Sequence, residues 1–408
     1  MLPMLLFITV VLALVLSKLT QEERIQLFHR IVQYARLAFD FARRWARSTP
    51  EGCEEFYAAL KERTRWSLVT PALLLAYVTF YVLMNAGASG ANEEQLLLHW
   101  GGSIGPLTTN GEWWRLGIAM FLHWGLLHLI ADVTGLAQVG VLTERIVGPT
   151  AFALVFVAAG LITGLQELSV HPVAVSAGAA GGIFGVYGLL LATLAWGWVR
   201  RSPLTIPLAV LKRLLPGAVV FLLYNAIADG LVTETMTWGL GVGFAGGSIL
   251  VWGVGSHKPP MPRLCTSMVA TLALVIAFAV PLRGMADVTR EAARVIELET
   301  RTAAAYDAEV AKFRRGRQSA DKLANMAEAI NSDVRGARIS LSELSNIPPE
   351  HQSVVDDALQ YLLLREESWR LRVEGLRTGR MQTLQKAERV ESEAKTRFEK
   401  VKALKSAG

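Results

Sequence analysis

The sequence predicts an all-α protein: a polytopic membrane bundle followed by a C-terminal soluble helical or coiled-coil domain. Three observations carry that expectation. The chain of 408 residues is 52% hydrophobic with a mean hydropathy of +0.35, too apolar for an ordinary soluble protein. Runs of about 18–20 apolar residues recur along it, and such a run spans a bilayer as a helix because all its backbone polar groups are satisfied internally. Residues 284–408 then shift to Ala, Glu, Lys and Arg and contain no such run.

The elements follow in order. Residues 2–17 form the first apolar run. There is no basic stretch before it and no small-residue cleavage site before Lys18, so residues 1–18 read as an uncleaved anchor and not as a signal peptide. Residues 19–66 read as a charged helical linker. Residues 67–283 hold seven further runs, at 67–84, 116–138, 150–166, 177–198, 215–232, 236–254 and 265–282. In residues 284–408, Leu323, Met326, Ile330, Val334, Ala337 and Leu341 repeat near a 3.6 period. Val355, Leu359, Leu362, Trp369, Val373 and Leu376 do the same. Asn346-Ile347-Pro348-Pro349 interrupts the two, so a three- or four-helix bundle is expected.

Charge orients the spans. Arg24, Arg30, Arg36, Arg43, Arg44, Arg47, Lys61, Arg63 and Arg65 crowd the first linker, Arg200, Arg201, Lys212 and Arg213 follow the 177–198 run, and Lys258 and Arg263 precede the last. The positive-inside rule places all three in the cytoplasm and both termini outside. The bundle at 284–408 is then extracytoplasmic. Topology accounts for the net charge of +6, and no nucleic-acid partner is expected. Cys53 and Cys265 imply no disulfide framework.

The motifs carry the function. Trp100-Gly101 is followed by Gly111-Glu112-Trp113-Trp114-Arg115-Leu116, then Met120-Phe121-Leu122-His123-Trp124-Gly125-Leu126-Leu127-His128-Leu129, then Gly140 and Glu144-Arg145, then Ser176-Ala177-Gly178-Ala179-Ala180-Gly181-Gly182-Ile183-Phe184-Gly185. In order and spacing these resemble the rhomboid family of intramembrane serine proteases across about residues 67–254. The resemblance implies a six-helix core, here with one extra helix on each side.

In active rhomboids a serine and a histidine form the catalytic dyad, and a histidine and an asparagine help to hold the oxyanion. Carried onto this chain, the nucleophile position is Ala180. The base position maps best to Trp238, with Gly241 and Ala245 as the small residues after it, in an alignment that can slip by two. No histidine lies between His171 and His257 in any register. The oxyanion pair becomes His128 and Asp132, four apart on one helix face and able to pair. The resemblance is therefore to an inactive rhomboid-like pseudoprotease, which implies transmembrane client proteins as partners and regulation of their stability or assembly.

Alternatives stay open. Ser176 with His128 and Asp132 has the residue types of a rearranged serine site, although a helix N-cap is the plainer role for Ser176. A third reading is a membrane scaffold that oligomerises through 284–408. Gly178, Gly181, Gly182, Gly185 and Gly241 are expected to let helices pack closely around a client groove. Trp113 and Trp114 suit a membrane interface, and Arg115 suits loop carbonyls or lipid headgroups. No His-Glu-x-x-His motif occurs, and His123 and His128, five apart, do not share a helix face, so no metal and no cofactor is expected. Short loops and two cysteines suggest a bacterial inner (plasma) membrane.

Overall fold

The structure is a computed structural model that describes residues 52–86, 92–199, 206–228, 234–252 and 258–407. The expected anchor at 1–18, the linker up to residue 51, and Arg200 and Arg201 lie outside the described residues. The chain divides into two compact units that meet at Leu282 and Arg283.

The first unit opens with α1 (Glu54–Arg63), acidic at its start and basic at its end, which anchors itself through the fully buried Leu60. Helix α2 (Val69–Ala86) follows. Three short helices come next: α3 (Glu93–Trp100), α4 (Gly105–Thr109) and α5 (Trp114–Ala119). Long helices then alternate with short turns: α6 (Gly125–Val147), α7 (Pro149–Val170), α8 (Ala180–Val199), α9 (Leu208–Ala228), α10 (Glu234–Val251) and α11 (Met261–Leu282).

Six of these, α2, α6, α7, α8, α9 and α11, are long and apolar enough to cross a membrane. Helix α10 has 18 residues, but Glu234, two threonines and five glycines lower its hydropathy. One expected span is corrected. The run at 116–138 is not one helix, because α5 ends at Ala119 and the chain turns through Met120–Trp124 before α6 begins at Gly125, whose φ of 69° is left-handed.

Two devices hold this unit together. Glu144, fully buried near the end of α6, accepts hydrogen bonds from the backbone N–H groups of Leu68, Val69 and Thr70 at 2.7, 2.9 and 2.8 Å, and from the Thr70 hydroxyl at 2.8 Å. It thereby satisfies the unpaired donors at the start of α2, which would be costly inside a bilayer. Gly140, one turn earlier, lets Thr70 approach: a Cβ there would lie 2.7 Å from Thr70 Cγ2.

The second device is the contact between α8 and α10. Gly239, Gly243 and Gly247 are spaced by four and face Gly181, Gly185, Gly188 and Ala192. A Cβ at Gly243 would collide with the Gly185 carbonyl, one at Gly239 would sit 2.8 Å from the Gly181 carbonyl, and one at Gly188 would meet the Phe244 amide at 2.7 Å. Gly241, expected among the packing glycines, is not one of them. It lies on the far side of α10 with nothing within 4 Å, because it falls two residues out of the period-four row.

The second unit is α12 (Val288–Arg314), α13 (Ala320–Ser342), a 3-10 turn at Pro349–His351, α14 (Gln352–Thr378) and α15 (Met381–Ala407). Short turns join the long helices, which pack as an antiparallel four-helix bundle. Leu323, Ile330, Val334, Leu341, Val355, Leu362 and Trp369 are buried, with Met326, Ala337, Leu359, Val373 and Leu376 half-buried around them. The break at Asn346 is a left-handed residue (φ 53°) whose side chain donates to the Arg283 carbonyl at 3.1 Å. Inside the bundle Arg365 is 2% exposed; it pairs with Glu299 at 2.9 Å and lies 4.8 Å over the Trp369 ring. A buried guanidinium is tolerable only with such partners.

The α8–α10 contact predicts a contrast between neighbouring glycines. Gly243→Leu abolishes recovery of monodisperse folded protein from detergent, while Gly241→Leu shifts the thermal midpoint by only about a few degrees; size-exclusion chromatography and a thermal unfolding scan read both.

Candidate functional site

The site lies where α8 begins. Ser103 and Ser176 pair as an isolated antiparallel bridge, with the Ser103 amide donating to the Ser176 carbonyl at 2.9 Å and the Ser176 amide to the Ser103 carbonyl at 2.7 Å. The segment then turns at Gly178, whose φ of 141° and closeness to the His128 ring exclude a side chain: a Cβ would lie 2.7 Å from His128 Cε1. Gly178 also donates to the Ala119 carbonyl at 2.9 Å. Helix α8 opens at Ala180, so Ser176 is not its N-cap. It stands three residues before the N-cap position, and its backbone is engaged by Ser103.

Helix α6 faces this turn with a buried polar cluster. Asp132 is fully buried, and its Oδ2 accepts from the Ala179 amide at 3.1 Å. The same oxygen lies 3.2 Å from His123 Nε2 and 3.6 Å from His128 Nε2. Sequence reasoning set His123 aside because five positions separate it from His128 on a helical wheel. The structure corrects this: His123 precedes α6, in the turn, and folds back so that the two rings meet edge-on at 5.3 Å. The glycine after His123-Trp124 is the one sequence signal that a helix starts there. His123 Nδ1 faces the Phe121 carbonyl at 3.2 Å and so carries a proton, while His128 Nδ1 accepts from the Trp124 amide at 3.3 Å. Among the described residues no group of three or more His, Cys, Asp or Glu is arranged to hold a metal.

The loop before α6 is fastened by Arg115. Its Nη1 donates to the carbonyls of Leu98 at 2.8 Å and Gly102 at 3.0 Å, its Nε pairs with Glu112 at 2.5 Å, and its guanidinium lies 5.0 Å over the Trp114 ring. Trp114 is half exposed and rests on Gly101, where a Cβ would come within 2.7 Å of the indole; Trp113 is half-buried at the start of α5.

A cavity of about 680 Å³ opens between these parts. His128, Ser176, Ala177, Gly178, Ala180 and Gly181 form one wall; Thr163, Glu167 and His171 from the end of α7, Tyr224 and Asn225 from α9, and Glu234 and Thr235 from α10 form the others. Tyr224 stacks on His128 with ring centroids 5.1 Å apart. At the rim Glu234 accepts from the Gln166 side chain, and Thr235 from α10 reaches Glu167 of α7 at 3.5 Å. Gly182 and Gly185, one turn into α8, press against Phe156 and Ala159 of α7.

Trp238 is placed differently from the expectation. It is 40% exposed, packs edge-on against Phe278 of α11 at 5.3 Å, and does not line the cavity. The glycines that fit against α8 are Gly239 and Gly243, so the residue three before the first of them is Met236, two residues from the earlier alignment. Met236 is half-buried in the core cluster that also holds Ala180. A glycine-rich segment offers several equivalent registers, and only the backbone contacts choose between them.

The fold and this geometry define a multi-pass membrane protein with a polar cavity at the start of a glycine-rich helix. A rhomboid domain model matches residues 110–257. Rhomboid protease GluP of Bacillus subtilis is 35% identical over 119 residues, which cover 29% of this chain and 23% of that protein. Inactive RHOMBOID-like protein 8 of Arabidopsis thaliana is 37% identical over 130 residues, 31% of this chain and 36% of that protein. Rhomboid-like protease 3 of Toxoplasma gondii is 25% identical over 134 residues, 33% of this chain and 50% of that protein. The chain spans half or less of the length of these relatives. Residues 110–257 thus carry a rhomboid domain.

The chemistry available at Ala180 is limited. A methyl group carries no nucleophile, and the nearby Ala179 N–H already donates to a carboxylate. An ionised Asp132 would repel a developing oxyanion, whereas oxyanion stabilisation needs donors aimed at the new charge. The register of α10 is testable by cross-linking. In a chain with Cys53 and Cys265 changed to serine, the Ala180→Cys/Met236→Cys pair forms an intramolecular disulfide under mild oxidation, and the Ala180→Cys/Trp238→Cys pair does not. Gel mobility with and without reductant reads the difference.

Proposed function

We propose that this chain is a rhomboid-like pseudoprotease that binds transmembrane helices of client proteins in the cavity at the start of α8 and regulates their stability or assembly without cutting them. The observation that carries the reading is Ala180 at the cavity wall, beside a backbone donor held by Asp132. A serine protease works as a unit: loss of nucleophile or base alone typically costs on the order of a millionfold in rate. With alanine at 180, methionine at 236 and an acid at 132, three of the four family positions lack the groups that hydrolysis needs. The Arabidopsis relative described as inactive gives this reading company within the family.

The cavity has the features that a client helix needs. Its walls carry Glu167, Thr235 and His171, which can satisfy polar groups where a client helix ends. Ser176 supports the active reading poorly, since its hydroxyl makes no side-chain hydrogen bond among the described residues and its backbone is pinned to Ser103. The reading includes an outward-facing cavity in a bacterial plasma membrane, supported by the basic segments around Lys212, Arg213, Lys258 and Arg263.

A photo-cross-linking residue at Thr235, on the cavity wall, captures an uncut transmembrane client helix in reconstituted liposomes, at least about tenfold more than the same residue at Val269 on the exposed face of α11. Equal capture at both sites, or a client fragment that disappears on Ser176→Ala, overturns the reading.

A further inference from the structure

We infer that the end of the helical bundle formed by the α12–α13 and α14–α15 turns is a docking surface for an anionic lipid bilayer. The two turns lie together. Arg377, in the last turn of α14, reaches Glu328 at 2.6 Å and Asn325 at 3.4 Å, both in the first half of α13. Each turn closes on a left-handed glycine, Gly316 (φ 70°) and Gly379 (φ 68°), with open space where a Cβ would stand. Residue 283, where the chain enters this unit, is at the opposite end, about 40 Å away along the 27 residues of α12.

Charge at this end is one-sided. Segments 312–322 and 377–386 carry eight lysines and arginines and one acidic residue, Asp321. Elsewhere the bundle's arginines are mostly matched, as Arg365 is with Glu299, Arg338 with Glu366 and Arg397 with Asp357. Arg314, Arg315, Arg317 and Arg380 are exposed and make no ion pair among the described residues. Helix C-termini favour basic residues, which accounts for Lys312, Arg314 and Arg315 at the end of α12 and for Arg377 in the last turn of α14. It does not account for the rest. Arg380 precedes α15 and its carbonyl accepts the first amides of that helix, where a serine or aspartate would serve better; Lys322 stands in the first turn of α13. These cations oppose the local helix dipoles, so they are placed for something outside the bundle.

The apolar residues choose the partner. Phe313 is 40% exposed and Met381 66% exposed, each beside the unpaired arginines. On a soluble polyanion these two side chains gain little. On a bilayer they enter the headgroup boundary while the arginines hold lipid phosphates, the pattern of interfacial binding. The chain is itself a multi-pass membrane protein, so the bundle is tethered to a bilayer-embedded unit and meets lipid at a raised effective concentration.

The test uses the full chain in nanodiscs of phosphatidylcholine alone, mixed with sedimentable vesicles of phosphatidylcholine with or without about one third phosphatidylglycerol. The native chain sediments with the anionic vesicles and not with the neutral ones. The variant Arg314→Glu/Arg315→Glu/Arg317→Glu/Arg380→Glu loses that binding by on the order of tenfold or more, with an unchanged helical spectrum and thermal midpoint. Phe313→Ser/Met381→Ser, which keeps every charge, weakens it severalfold. Sedimentation with neither vesicle, or with both equally, overturns the inference. Binding that the apolar variant keeps in full and that heparin competes away assigns the surface to a soluble polyanion and overturns it as well.

Discussion

The backbone contact between α8 and α10 is the constraint on which the membrane unit depends. Inside a bilayer there is no water to squeeze out between helices, so association rests on close packing, and glycine gives the closest approach. The row Gly239, Gly243, Gly247 against Gly181, Gly185 and Gly188 brings carbonyls to within reach of the facing helix. Once α10 is seated, its register decides which residue comes beside Ala180, and the start of α8 decides where the cavity lies. Phe184 of α8 then meets Phe221 of α9 at 4.7 Å, and Gly135 of α6 opens space for the same ring. The cavity walls are thus positioned from one seam outward.

The buried carboxylate of Asp132 is the second decisive feature. An acid at this depth is expensive unless its neighbours donate to it. Here the Ala179 amide and the two histidines surround it. The arrangement fastens the turn before α8 to α6 and at the same time occupies a donor beside Ala180. A residue that stabilises the fold in this way also makes the site unsuited to a new negative charge. On the proposed reading, architecture is kept while chemistry is not, because different atoms serve each.

The sequence made the large features legible for physical reasons. Apolar runs mark spans because the bilayer demands them, which is why α2, α7, α8, α9 and α11 fall close to the expected places. The loop motif around Arg115 is legible through the family resemblance, whereas Gly178, expected among the helix-packing glycines, turns the chain before α8. What was not legible depended on backbone geometry. The break at Met120–Trp124 hides inside an apolar run, so hydropathy alone starts that span at 116 instead of 125 and places His123 within its helix. The register of α10 is ambiguous in one dimension because Gly239, Gly241 and Gly243 look alike, and only the facing glycines of α8 separate the packed pair from the exposed member. In the C-terminal unit the periodic residues were legible, while the pairing of Arg365 with Glu299 joins residues 66 apart and leaves no local signature.

Restoring the chemistry on this scaffold tests the central claim most directly. The chain, reconstituted in liposomes with a reporter transmembrane substrate, is compared with Ala180→Ser/Met236→His/Asp132→Asn and with Ala180→Ser/Trp238→His/Asp132→Asn, and fragment formation is followed over time. The account predicts no fragment from the native chain, cleavage by the variant with histidine at 236, and none by the variant with histidine at 238. Cleavage by the native chain would contradict the loss of chemistry, and equal cleavage by both variants would contradict the register of α10 from which the site is built.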